Sequence, residues 1–191
     1  VAAACSLVAT WRPPPGGGAG RRDRQAGVLD GHGAGPSGGR GTWWSRHDGR
    51  PLWATRLPEG CAASRGALTK GNRFVRGSTL FRTAVARGLG GYREEFSCSQ
   101  DYDFFWRLSE AGGAANLPEP LYHYRYSAGA VSARRASDQA RAHRAAQILA
   151  RARPRDGVED IACALAQPER VLEDAGPLPA APQQTHHALV A

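Results

Sequence analysis

Apolar and aromatic positions are concentrated in the middle of this chain, between about residues 43 and 133. The preceding stretch is rich in glycine, proline and arginine and has no apolar periodicity after Trp11. Such a stretch cannot bury enough surface to offset the conformational entropy that its backbone would lose on folding. The pattern therefore predicts a disordered Gly/Pro/Arg-rich segment over 1–42 and a folded region over 43–133.

Strand signals occur at three places in the folded region. The tetrapeptide His-Asp-Gly-Arg at 47–50 is typical of a turn between two strand-like pieces. The apolar run Phe74–Arg82 predicts a central strand in which Gly77 marks a close backbone approach. After two prolines, Leu121–Arg125 alternates between apolar and polar residues and predicts a short strand.

Helix signals alternate with these strands. Thr83 is expected to cap a short helix over Ala84–Arg87, and Ser99 to cap a longer helix over Gln100–Glu110 that two glycines end. The apolar residues of the longer helix recur at helical spacing and should bury one face: Phe104, Phe105, Leu108 and Ala111. Helices interleaved with strands indicate the α/β class.

The last third of the chain predicts a helical extension over 134–176 and a tail over 177–191. Within the extension, a helix is expected over Asp138–Arg153, ended by Pro154, and a shorter one around Ile161–Leu165. The longer helix has a thin apolar stripe: Ala142, Ala145, Ile148 and Leu149.

Charge and composition narrow the classes of function. The 191 residues carry 25 Lys and Arg against 17 Asp and Glu, a net charge of +8, which suggests acidic partners. However, the arginines are scattered rather than gathered in a basic stripe with aromatic residues, so nucleic acid is not expected as a partner. No apolar run approaches the roughly 20 residues that span a bilayer. None of the four cysteines forms a C-x-x-C pair, which favours a reduced, cytoplasmic setting without a zinc site or disulfide framework.

The densest group of candidate chemistry lies at the start of the predicted Gln100 helix. Asp101 and Asp103 fall in its first turn, where the helix dipole stabilises negative charge. A carboxylate held there beside a cleft would be a suitable general base for a hydroxyl. The alternative is that both are ordinary helix-start acids without a catalytic role. Positions i and i+2 of a helix point to different faces, which argues against one metal ion bound by both.

A series of short motifs runs in order from Gly71 to Ser132. These motifs are Gly71-Asn72-Arg73-Phe74, Gly77-Ser78-Thr79-Leu80-Phe81-Arg82, Gly90-Gly91-Tyr92-Arg93-Glu94-Glu95-Phe96, Gln100-Asp101-Tyr102-Asp103, Arg107-Leu108 and Asn116-Leu117-Pro118-Glu119-Pro120-Leu121-Tyr122-His123-Tyr124-Arg125. In order and spacing the series resembles the C-terminal half of a family 2 glycosyltransferase. The segment 48–52 also resembles the family's upstream hairpin, which extends the likeness to roughly 43–133.

The resemblance implies a partial GT-A-like, Rossmann-like α/β sandwich that transfers a sugar from a nucleotide-sugar donor. The acceptor would be a hydroxyl of a glycan, a lipid or another molecule. By position, Asp101 would be the catalytic base of an inverting reaction, with Gln100 where glutamate is commoner. Gln100, Asp103 and Arg125 are the substrate-binding candidates, although Asp103 could instead support the helix start and Arg125 could pair with a carboxylate.

The resemblance also bears on cofactor and location. A divalent cation, manganese or magnesium, is expected for the full-length enzyme, but this chain carries no ligand motif for it and no metal residue is assigned. The expected location is the cytoplasm, which includes the inner face of a membrane.

The chain departs from the family at two places. Nothing in 1–42 matches the family's donor-binding half with its D-x-D motif, and Ser127 stands where the family often has histidine. The expectation is therefore a truncated chain that holds the acceptor side and is inactive by itself. A non-catalytic remnant that serves as a structural or interaction module is the alternative hypothesis, and a basic nucleic-acid-associated protein is a third.

Overall fold

The computed structural model describes residues 37–126, 135–156 and 159–166. These residues form a mixed α/β structure, which confirms the predicted class. The predictions for 1–36, for Ser127 and Ser132, and for the tail 177–191 lie outside the described residues. The strands are β1 (Ser37–Ser45), β2 (Pro51–Thr55), β3 (Leu80–Phe81) and β4 (Ala114–Arg125). The helices are α1 (Cys61–Leu68), α2 (Thr83–Gly88), α3 (Gln100–Gly112), α4 (Ala136–Asp156) and α5 (Ile161–Ala166).

Strand β1 is the centre of the four-stranded sheet. Along one edge it pairs in parallel with β4 over its whole length, from Ser37 to Ser45. Along its other edge it pairs antiparallel with β3 at its start and with β2 towards its end. The predicted turn at 47–50 joins β1 to β2, and its Gly49 takes a φ of 89° that other residues rarely adopt.

The start of β1 corrects the predicted boundary of the folded region. Residues 37–42, which the sequence places in a disordered segment, are strand. Neighbouring groups lie so close to the glycines of this strand that a larger side chain would collide with them. A Cβ atom at Gly39 would lie 2.3 Å from Asn116 Oδ1, and one at Gly41 would lie 2.7 Å from the Thr55 carbonyl oxygen. Glycine at these positions therefore permits close packing within the sheet.

The predicted central strand over Phe74–Arg82 is wrong. This run forms a single 3₁₀ turn at Arg76–Ser78 and only two residues of strand, β3. The close approach at Gly77 is real, but it is made by a side chain, because a Cβ atom there would lie 2.2 Å from the Tyr122 hydroxyl oxygen. Strand β4, by contrast, is longer than the predicted Leu121–Arg125 and accommodates its two prolines where its register with β1 is irregular.

Helix boundaries follow the local signals with several exceptions. Ser99 immediately precedes α3, but the predicted side-chain cap is wrong, because Ser99 has a left-handed φ of 53° and its side chain makes no capping hydrogen bond. Gly113 follows the helix with a φ of 96°. Thr83 is the first residue of α2 rather than its cap, which is Arg82. Helix α4 begins at Ala136, ahead of the predicted start, and continues through Pro154, which lies in its last turn.

Helix α3 passes through the middle of the hydrophobic core. Every residue from Tyr102 to Ser109 is buried, so the helix is enclosed all round rather than on one face, and Ala111 is exposed. Phe104 packs edge-on against Phe81 of β3 with ring centroids 5.3 Å apart. On another side α3 meets α4, whose predicted stripe is buried: Ala142, Ala145, Ile148 and Leu149.

Candidate active site

Asp101 lies in the first turn of α3 and is partly buried. Asn72 donates a hydrogen bond from Nδ2 to Asp101 Oδ2 at 3.0 Å. The other end of the same amide, Asn72 Oδ1, accepts a hydrogen bond from the Phe74 backbone N–H at 3.0 Å. The Asn72 amide is thus held at both ends, and it fixes the orientation of the Asp101 carboxylate.

Burial raises the pKa of Asp101 above its ordinary value of 3.8. The backbone N–H groups of Tyr102 and of Asp101 itself, the charge of Arg76 and the Asn72 amide stabilise the ionised form and offset part of that effect. A carboxylate with a raised pKa binds a proton more strongly than an exposed one. Asp101 therefore combines a fixed orientation with increased basicity, the two properties that a general base requires.

Arg76 brings positive charge close to the same carboxylate. Its side chain is exposed, and its guanidinium carbon lies 5.0 Å from the centroid of the Tyr92 ring. This contact orients the guanidinium through a cation–π interaction. The resulting site has one carboxylate, one amide and one oriented cation.

His143, from helix α4, contacts both segments that flank Asp101. Its Nε2 accepts a hydrogen bond from the Asn72 backbone N–H at 3.3 Å, and its Nδ1 lies 3.2 Å from Ser99 Oγ. Its ring stacks on Tyr102 with centroids 3.9 Å apart. Burial lowers the pKa of His143 from 6.5 to about 4, so the imidazole is neutral at pH 7.

Asp103, one of the substrate-binding candidates, is buried and paired with arginines. Its side chain is 0% exposed and pairs with Arg107, one turn further along α3, at 2.7 Å, and with Arg93 at 3.2 Å. Arg107 also donates hydrogen bonds to the carbonyl oxygens of Leu89 and Gly91. Asp103 therefore holds the loop before α3 against the helix, the supporting role that the sequence left open as an alternative.

An ion-pair network continues from Asp103 into the helical extension. Arg93 pairs with Glu159, which precedes α5, and Arg153 of α4 pairs with both Glu159 and Glu110 of α3. Burial opposes the charge of Glu159, but the two arginines outweigh it and hold its pKa below the ordinary value. The network therefore ties α3, α4 and the start of α5 together around the buried Asp103 carboxylate.

The remaining two candidates are Gln100 and Arg125. Gln100 is the partly buried first residue of α3, next to Asp101 in sequence. Arg125 is exposed at the end of β4, where it pairs with Ser45 of β1. Across the ranges that the structure describes, no hydrogen bond or ion pair joins Arg125 to α3 or to a carboxylate.

Local sequence analysis does not assign two residues, Asn72 and His143, to the site. Asn72 lies in the first of the quoted motifs, but nothing local assigns it to Asp101. His143 lies in an alanine- and arginine-rich helix, and no signal around it indicates a contact with residues 71 positions earlier. The i, i+4 spacing of Asp103 and Arg107, by contrast, could have indicated their ion pair from the sequence.

The described residues contain two neighbouring acidic side chains of interest for metal binding, Asp101 and Asp103. Over these ranges no three His, Cys, Asp or Glu side chains come together. Asp101 and Asp103 are engaged in separate surroundings, one with an amide and the other with arginines. The two carboxylates of the D-x-D pair therefore have different partners.

Comparison with known proteins adds no relative. No protein-family model matches the chain, and no curated protein matches it. Within the described ranges, none of the helices has the length and apolar character needed to cross a bilayer. The geometry around Asp101 is therefore the basis for any functional proposal.

Proposed function

We propose that this chain carries the acceptor-activating part of an inverting glycosyltransferase with a GT-A-like fold, in which Asp101 is the general base. The observation that carries the proposal is the Asp101 carboxylate itself, which Asn72 orients and burial makes more basic. The motif series from Gly71 to Arg125 supports the same assignment, because its Asn72 and Asp101 meet in space although they are 29 positions apart.

In the proposed reaction one proton is transferred, and at the anomeric carbon one bond forms while another breaks. Asp101 accepts the proton of the acceptor hydroxyl as the hydroxyl oxygen attacks the anomeric carbon of the sugar. A new carbon–oxygen bond forms on one face of the sugar. The bond to the donor's diphosphate breaks on the other face, and its electron pair leaves with the nucleoside diphosphate. The configuration at the anomeric carbon inverts.

The partners of this proposal are a nucleotide-sugar donor and a glycan, lipid or other hydroxyl-bearing acceptor, in the cytoplasm or at the inner face of a membrane. Arg76 is exposed near Asp101 and carries the charge that would attract an anionic substrate group. Manganese or magnesium is part of the family's chemistry on the donor diphosphate. No step proposed here depends on such an ion.

The test measures sugar transfer by the Asp101→Asn variant with a panel of nucleotide-sugars. It is carried out both on the natural protein and on the 191-residue chain. An amide cannot take the acceptor's proton, and loss of a general base costs about 10²–10⁴-fold in rate. The matched control is Asp138→Asn, because Asp138 is also an acidic residue in a first helical turn but is exposed and belongs to α4. Asp103→Asn is unsuitable as the control, because it breaks buried ion pairs.

We expect Asp101→Asn to abolish transfer and Asp138→Asn to leave it unchanged. Donor binding by Asp101→Asn should stay close to wild type, because the variant changes proton transfer rather than the donor's contacts. Full activity of Asp101→Asn would contradict the assignment of the base. Absence of transfer in the wild-type protein with every donor would favour the alternative of a non-catalytic module.

A further inference from the structure

The hydrogen bonds around His143 determine its tautomer. The Asn72 backbone N–H is a donor, so Nε2 of His143 is the unprotonated acceptor and the proton is on Nδ1. Nδ1 then donates to Ser99 Oγ, whose hydroxyl donates in turn to the Gln139 carbonyl oxygen at 3.3 Å. A neutral imidazole in this tautomer satisfies both of its nitrogens.

The imidazole is also held against rotation. Tyr102 stacks on it, with an angle of 18° between the rings. The Tyr102 hydroxyl donates to the Leu68 carbonyl oxygen and accepts a hydrogen bond from Gln147 Nε2 at 3.1 Å. The stacked partner is therefore anchored to α1 and α4, and the imidazole has a fixed place.

We propose that His143 is a positioning residue for the candidate base, because it joins the Asn72 segment to the start of α3. The backbone N–H of Asn72 binds His143, and the side chain of Asn72 binds Asp101. Ser99, bound to the other nitrogen, immediately precedes the first turn of α3. One imidazole thus sets the distance between the carboxylate and the amide that orients it.

This assignment gives α4 a part in the site. The helix lies in what the sequence predicts to be an extension beyond the folded region, yet it supplies the group that connects two of the quoted motifs. The inference rests on the proposed function, because positioning Asp101 affects a reaction only if Asp101 is its base. The geometric part can be tested in the 191-residue chain without any transfer assay.

The first test is carbon-13 NMR titration of the Asp101 carboxyl group in that chain. The Asn72 amide stabilises ionised Asp101, so Asn72→Ala should raise the pKa of Asp101. If His143 positions Asn72, then His143→Leu should raise it as well, and the double variant should shift it no further than Asn72→Ala does. His143→Gln, which retains a hydrogen-bond acceptor for Asn72, should titrate like the wild type.

The control is Leu149→Ala, in the buried apolar stripe of the same helix. The Leu149 side chain makes no hydrogen bond, so it takes no part in the link between Asn72, His143 and Ser99. It should lower stability while leaving the titration of Asp101 unchanged. If His143→Leu does not fold, His143→Asn replaces it, because its shorter side chain does not reach the Asn72 N–H.

An unchanged Asp101 titration in His143→Leu, or in the His143→Asn that replaces it, would overturn the proposal, and so would shifts of His143→Leu and Asn72→Ala that simply add. In the transfer assay, loss of His143 should lower kcat by up to about 100-fold, with the donor KM unchanged and with recovery in His143→Gln. If even the wild type transfers no sugar, the proposed function fails, while the titration still decides whether His143 positions Asp101.

Discussion

The buried His143 should make the stability of this protein depend on pH in a defined interval. The pKa of His143 is about 4 in the folded chain and 6.5 when the ring is exposed. Between these values the unfolded state binds a proton that the folded state does not. Stability is therefore fully present above about pH 6.5, falls as the pH decreases towards 4, and loses nothing more from this residue below that.

The size of the effect follows from the same two pKa values. At about 1.36 kcal/mol per pKa unit, the complete loss is roughly 3 kcal/mol. About 2 kcal/mol of it should be lost by pH 5, because the unfolded imidazole is then almost fully charged while the folded one is not. A domain of ordinary stability has about 5–15 kcal/mol in all, so the loss is easily measured.

The perturbation that isolates this effect is His143→Gln, compared with wild type by urea unfolding between pH 7.5 and 4. At pH 7.5 the variant should be less stable by about 1 kcal/mol, because it loses the stacking on Tyr102. The wild type's loss on acidification should then exceed that deficit, so the two stability curves should cross above about pH 5.

The control for this experiment is His47→Gln, which removes an exposed histidine from the turn between β1 and β2. It should keep the loss of stability between pH 7.5 and 4, because His143 is still present. A constant difference between wild type and His143→Gln over the whole interval would refute the reasoning, because it would mean that His143 titrates alike in the folded and unfolded states.

Three further outcomes follow from the packing. Asp101→Asn should raise the free energy of unfolding at pH 7, because it removes a buried charge whose pKa is raised, and the gain should vanish at about pH 3, where wild-type Asp101 is protonated in both states. Asp103→Asn should lower stability by about 3–5 kcal/mol in urea unfolding, because it leaves the buried Arg107 without its ion pair. Gly39→Ala should cost about 1–3 kcal/mol in thermal unfolding, whereas Gly66→Ala in α1, with open space around its Cβ position, should be neutral or stabilising.

Local sequence determined the elements whose signals lie within a few residues. The turn at 47–50 and the end of α3 at Gly113 depend on the backbone preferences of the residues that occupy them. The apolar stripe of α4 was predictable for the same reason, because helical periodicity fixes which residues share a face. The placement of Asp101 in a first helical turn, and hence its candidacy as a base, also came from the sequence.

Tertiary structure determined those features in which groups distant in the sequence override what a local pattern predicts. A glycine-rich stretch predicts disorder, yet Gly39 and Gly41 lie in the central strand. Glycine is needed at these two positions because Asn116 and the Thr55 carbonyl leave no room for a side chain. Asp101 and Asp103 have the same local setting, but Asn72 orients the first and two arginines enclose the second. His143 reaches the site only when α4 packs on α3. Sequence fixes local backbone preference, whereas the role of a polar group depends on the partners that folding brings to it.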